Sequence, residues 1–170
     1  MVPIRCAALI SLGLLVGCER EESPDDLSEA QVAAEIASVA LQPGRWETST
    51  EIVSATGPLP QATIDRLVGR RSTASACITP EQAERPSATF LAAQQGADCA
   101  YHSFEVEGGT LSASMTCAGG NLPARMKTDM RGRYAQDGYD LTLEMRAAGF
   151  AGADALEIRT RSVGRRTGDC

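Results

Sequence analysis

The chain has 170 residues, 22 acidic against 16 basic, a net charge of −6 and 43% hydrophobic content. Length and composition fit one globular domain with a core of ordinary size. The acidic balance argues against nucleic acid or an anionic membrane face as a partner held through bulk charge.

At the N-terminus Arg5 precedes an apolar stretch from Cys6 to Val16 and the small Gly17, the parts of a secretory signal. The stretch is too short for a bilayer core of ~30 Å, which takes about 20 helical residues. Leu15-Val16-Gly17-Cys18 resembles a bacterial lipobox. The resemblance implies removal of residues 1–17 and acylation of Cys18, with diacylglyceryl and an N-acyl chain such as palmitate. Two or more chains, at ~0.8 kcal/mol per buried methylene, make anchoring long-lived. The plainer alternative is an ordinary secretory signal with Cys18 merely adjacent. On the lipobox reading the protein is a periplasm-facing lipoprotein of the cell envelope, on the inner or the outer membrane. Loss of Arg5 with the signal makes the mature chain one unit more negative.

Residues 18–40 are expected to form a lipidated tether. Glu19 to Asp26 lacks apolar content and reads as solvated. Ser28 with Gln31 three residues on forms a capping-box pattern, and Val32, Ile36 and Val39 share a helical face. Two placements follow: a marginal helix within the linker, which the narrow Ala-rich stripe favours, or a stalk helix packed on the domain.

Residues 41–170 form the predicted domain. Trp46, Thr48, Thr50 and Ile52 alternate as in a half-buried strand. Ile64, Leu67 and Val68 fall on one side of a helix behind Pro60. Thr79-Pro80-Glu81, with Gln82 following, reads as a helix start that resumes after Pro86 through Phe90 and Leu91. Tyr101–Val106 and Thr110–Met115 flank Glu107-Gly108-Gly109. A three-residue loop there places Val106 opposite Thr110, whereas a two-residue Gly-Gly turn would move the neighbouring cysteines to opposite faces. Asp137-Gly138 reads as a two-residue hairpin turn. It sets Tyr134 opposite Leu141, Met130 opposite Met145, Arg131 opposite Glu144 and Asp129 opposite Arg146. Leu156, Ile158 and Thr160 alternate in a last strand.

Apart from Cys6 and Cys18, four cysteines remain, an even number in an oxidising compartment. The three-residue loop places Cys99 opposite Cys117, within bridging distance, which leaves Cys77 to pair with Cys170. No metal site is expected, because there is no C-x-x-C pair and His102 is the only histidine.

Leu41-x-Pro43-Gly44-x-Trp46-Glu47, Cys77-Ile78-Thr79-Pro80-Glu81, Cys99, Gly108-Gly109-Thr110-Leu111, Cys117, Gly132-x-Tyr134 and Gly168-x-Cys170 follow one another in that order. Together they resemble domain-of-unknown-function family thirty-six seventeen, small exported proteobacterial proteins. Arg165-Arg166 departs from the Arg-Trp type of pair found in many members. The resemblance implies fold and compartment, and no activity.

The fold class is thus α+β: about six antiparallel strands in a meander, two short helices packed on them, and two disulfides. There is no G-x-S-x-G elbow, phosphate-loop pattern or H-E-x-x-H. No enzyme, cofactor or metal is expected; the residual catalytic option is His102, facing Ser114 across the hairpin. The basic residues Arg125, Lys127, Arg131, Arg133, Arg159 and Arg161 offer an anion-binding face, but Glu144 opposite Arg131 argues for a solvated, salt-bridged one. The first functional expectation is an envelope accessory module for a protein partner, held to the membrane by its acyl chains. The alternative is a carrier of an apolar or amphiphilic molecule, held on a concave stripe of Met130, Tyr134, Tyr139, Leu141, Leu143 and Met145. A sheet covered by helices would favour the module.

Overall fold

The computed structural model describes residues 26–37, 41–84, 98–119, 125–147 and 155–170. The expected signal segment, Cys18 and the helix resumed through Phe90 and Leu91 lie outside them. The elements are α1 (Glu29–Ala37), β1 (Gly44–Thr56), α2 (Gln61–Leu67), β2 (Arg71–Ile78), α3 (Pro80–Glu84), β3 (Asp98–Glu107), β4 (Thr110–Ala118), β5 (Met126–Ala135), β6 (Gly138–Ala147) and β7 (Leu156–Gly168). One antiparallel sheet runs β2-β1-β7-β6-β5-β4-β3. Strands β3 to β7 meander, and β1 returns to pair with β7.

The sheet has seven described strands rather than about six. The strand absent from the sequence reading is β2, whose residues are exposed up to the final Ile78. Arg-Ser-Thr-Ala-Ser-Ala-Cys carries no apolar alternation, so period-two patterning could not find it. It forms as an edge strand because β1, already paired with β7, offers its free edge from Gly44 to Glu51.

Helix α1 takes the second of the two placements considered for it. Its capping box is made: Gln31 N–H donates to Ser28 Oγ at 3.3 Å and Ser28 N–H to Gln31 Oε1 at 2.9 Å. Val32 is 0% exposed within the core, and Leu27 N–H donates to Tyr101 O at 2.7 Å on the edge of β3. That single bridge occupies one carbonyl of the edge strand β3. The second capping box also forms, with Thr79 N–H donating to Gln82 Oε1 at 2.9 Å. The core lies under α1 and α3, against β3, β4, β5 and the start of β1.

Both hairpins differ in register from expectation. Between β3 and β4 the loop is the two-residue Gly108-Gly109, with Glu107 opposite Thr110 and Val106 opposite Leu111. Both glycines have positive φ, 56° and 77°, the left-handed pair that a type I′ turn requires. That register alone would set the cysteines on opposite faces. A bulge at His102 inserts one residue between Tyr101 and Ser103, and so Cys99 still faces Cys117. Between β5 and β6 the two-residue loop is Gln136-Asp137, one residue earlier than expected. Tyr134 faces Tyr139, Met130 faces Leu143, Arg131 faces Thr142 and Asp129 faces Glu144. The loop carbonyls explain the shift: Gln42 N–H donates to Gln136 O and Arg166 N–H to Asp137 O. Gly138 serves a close approach instead of the turn, since a Cβ there would stand 3.1 Å from Gly164 O.

Both disulfides are formed, Cys99–Cys117 with Cα atoms 4.0 Å apart and Cys77–Cys170 with Cα atoms 5.8 Å apart. Cys77 and Gly168 sit on either side of Arg45, so the second bridge ties together the two neighbours of β1.

Candidate functional site

The two faces of the sheet follow from strand alternation, and the apolar one is filled by the protein itself. Met130 is 0% exposed, Tyr134 3%, and Leu141 is buried, while Tyr139 and Leu143 pack against the same core. Tyr139 stacks between Trp46 and Tyr134, at centroid distances of 6.3 and 6.4 Å, and its hydroxyl lies 2.8 Å from Thr48 Oγ1. The ring lies flat across β7 because residue 164 is glycine. A Cβ on Gly164 would stand 2.2 Å from a ring carbon. Burial, with the Tyr139 phenol adding to it, pushes the Tyr134 phenol far above the ordinary range. Of the stripe expected to line a ligand cavity, Met130, Tyr134, Tyr139, Leu141 and Leu143 belong to the core, and Met145 is half-buried and lines a smaller depression with Ile158.

The hollow lies on the opposite, polar face. A depression of about 740 Å³ extends from Lys127 on β5 to Val53 on β1, with Arg131, Glu144, Arg159 and Arg161 along it. A second, of about 590 Å³, adjoins it at Arg161 and runs toward Arg133 and Arg165. The concave stripe was therefore expected on the wrong side. Val53 forms one wall: alternation sets it on the same side as Glu51, where it is 48% exposed, and a bulge between Ile52 and Ser54 adds Ser54 to that face beside it.

Charges on this face pair across β6 and β7. Arg146 and Glu157 are directly opposite and joined at 2.6 Å, and Glu144 is joined to Arg159 opposite it. Arg161 reaches diagonally to Asp140, with two hydrogen bonds of 2.8 and 2.6 Å. That bond, more than the partial burial opposing it, holds the Asp140 carboxyl below its usual range. Across β5 and β6 the register sets like charges opposite each other, Asp129 facing Glu144 and Lys127 facing Arg146. Lys127 relieves the first pair from 3.6 Å. Arg131 is left with no ion pair or hydrogen bond among the described residues. The expected Arg131–Glu144 pair does not exist: Thr142 stands opposite Arg131, and Glu144 is taken by Arg159.

His102 does not face Ser114; as the bulge residue it lies opposite no single partner, and Ser103 faces Ser114. Its ring bridges Asp26 and Thr116, with Nδ1 2.7 Å from Asp26 Oδ1 and Nε2 2.8 Å from Thr116 Oγ1. Carboxylate, imidazole and hydroxyl in sequence is the order that activates a nucleophile. Here the imidazole is 42% exposed and the hydroxyl belongs to a branched Thr on an open strand. The cluster fastens the residues before α1 to the polar side of β3. Asp26 had no signal in the sequence, being separated from His102 by 76 positions.

All four cysteines among the described residues are bridged, and no group of three or more His, Cys, Asp or Glu side chains among those residues could hold a metal ion. Neither curated proteins nor solved structures give a significant match to this chain. The model of a family described as "Protein of unknown function (DUF3617)" matches residues 41–170, from the buried Leu41 to the C-terminal bridge. The chain belongs to the DUF3617 family.

Proposed function

We propose that this protein is a lipid-anchored, periplasm-facing accessory module of the cell envelope, and that it presents the polar face of its sheet to a protein partner without catalysing a reaction. One contrast carries the reading: the apolar face is closed by the protein's own core, whereas the polar face is hollowed and held on ordered strands. The lipobox-like Leu15–Cys18 supports the anchor, and the two disulfides support an oxidising compartment. The carrier alternative loses support, because Met130, Tyr134 and Leu141 of the stripe it required are buried.

The test is a photo-crosslinking residue at Thr142, in the floor of the hollow, compared with one at exposed Thr73 on β2. In the native host, Thr142 should yield a discrete protein adduct and Thr73 none. Adducts at neither position, or equally at both, would contradict the reading.

A further inference from the structure

We infer that the polar hollow recognises an extended acidic peptide segment that carries an apolar side chain. The inference deepens the proposed function by naming the chemistry of the partner. Three observations carry it. First, the larger depression is lined by four cations; Lys127, Arg159 and Arg161 are paired with Asp129, Glu144 and Asp140, and Arg131 remains as the excess charge. This basic excess belongs to a chain of net charge −6, so it marks one face and opposes the average. Arg131 at its centre is unengaged among the described residues, and a guanidinium fork free to take a carboxylate in two parallel hydrogen bonds gives both direction and strength.

Second, Val53 is 48% exposed in the wall of the same depression. A partner with an apolar group beside its carboxylates would cover it, whereas a simple inorganic anion would not. The adjoining hollow toward Arg133 and Arg165 prolongs the depression, as a chain segment needs and a compact ion does not. Third, the face already holds a carboxylate from a crossing segment. Asp26 is bound by His102 beside Thr116, and Thr116 stands directly opposite Lys127.

Fluorescence anisotropy on the full chain tests this, with a labelled, end-blocked Asp-Leu-Glu-Asp peptide as probe. Binding should be saturable and should weaken with added salt. Arg131→Gln should weaken it roughly tenfold or more, the loss expected for a charge-assisted bond. Glu144→Gln, which removes a carboxylate and frees Arg159, should tighten it about threefold through removal of the like charge. Val53→Ser should weaken this peptide and leave an Asp-Ser-Glu-Asp version unchanged. Arg66→Gln, on α2 and bound among the described residues only to Ala62 O and Thr63 Oγ1 of its own helix, is the control and should change nothing.

Equal losses in the Arg131 and Arg66 variants, or no saturable binding, would overturn the inference. So would full displacement of the peptide by equimolar phenyl phosphate, which would make the hollow a small-anion site. A Thr142 adduct to a partner without acidic segments would overturn the inference and leave the proposed face standing. Peptide binding without any Thr142 adduct would instead remove the protein-partner reading.

Discussion

Strand β5 shows both surfaces of this protein side by side: Thr128, Met130 and Tyr134 are closed to solvent, while Lys127, Arg131 and Arg133 stand exposed. One alternation sets both, but the two faces differ in what fixes them. The apolar face is held by packing, where each side chain meets core atoms on every side. The polar face is held by the strands beneath it, and its charges settle into whichever pairs the register allows. Substitutions on the first should cost stability; on the second they should cost recognition.

The largest effect is expected from Met130→Ala, about 2–5 kcal/mol of unfolding free energy by chemical denaturation, since the residue is fully buried. Gly164→Ala comes next, at about 1–3 kcal/mol, because the new methyl group must displace the Tyr139 ring. Trp46, the single tryptophan, stacks on that ring and reports its movement by fluorescence. Val32→Ala should cost about 1.6 kcal/mol, the value for two buried methylenes, which would establish that α1 is part of the folded body. An unchanged midpoint would return α1 to the linker. On the polar face, a double-mutant cycle on Glu144 and Arg159 should give less than about 1 kcal/mol, as exposed pairs do.

The smallest effect concerns Asp140. Its carboxyl titrates below the ordinary range in the folded chain, so the associated stability is present above the unfolded pKa of about 3.9 and is lost as pH falls through the folded value. Titration followed by NMR should show the midpoint rising toward the ordinary value in Arg161→Gln. A midpoint unmoved by that substitution would detach the shift from its assigned cause.

The same two faces explain what the sequence disclosed. Alternation found the strands with an apolar side, and the Cys99–Cys117 pairing formed although the three-residue loop from which it was read did not. The route to that pairing was not legible. A two-residue Gly108-Gly109 turn with a bulge at His102 and a three-residue loop without one reach the same opposition, and only the backbone separates them. The β5–β6 turn was misplaced for a different reason. Its carbonyls are held by Gln42 and Arg166, partners far away in the chain, and tertiary bonds of this kind leave no local trace. Strand β2 carries no apolar signal, because an edge strand exposed on both sides needs none. Of the candidate face, the basic residues were visible. Their pairing was not, since a shift of one residue in the turn moved Glu144 from Arg131 to Arg159.

Export with two locked bridges and an acylated start underlies the proposed role, and one intact-mass measurement addresses both. Protein recovered from host membranes without reductant, with thiol alkylation, should begin at Cys18, carry acyl chains there, and show Cys77, Cys99, Cys117 and Cys170 unalkylated. A chain that begins at Met1 with those thiols alkylated would contradict the account.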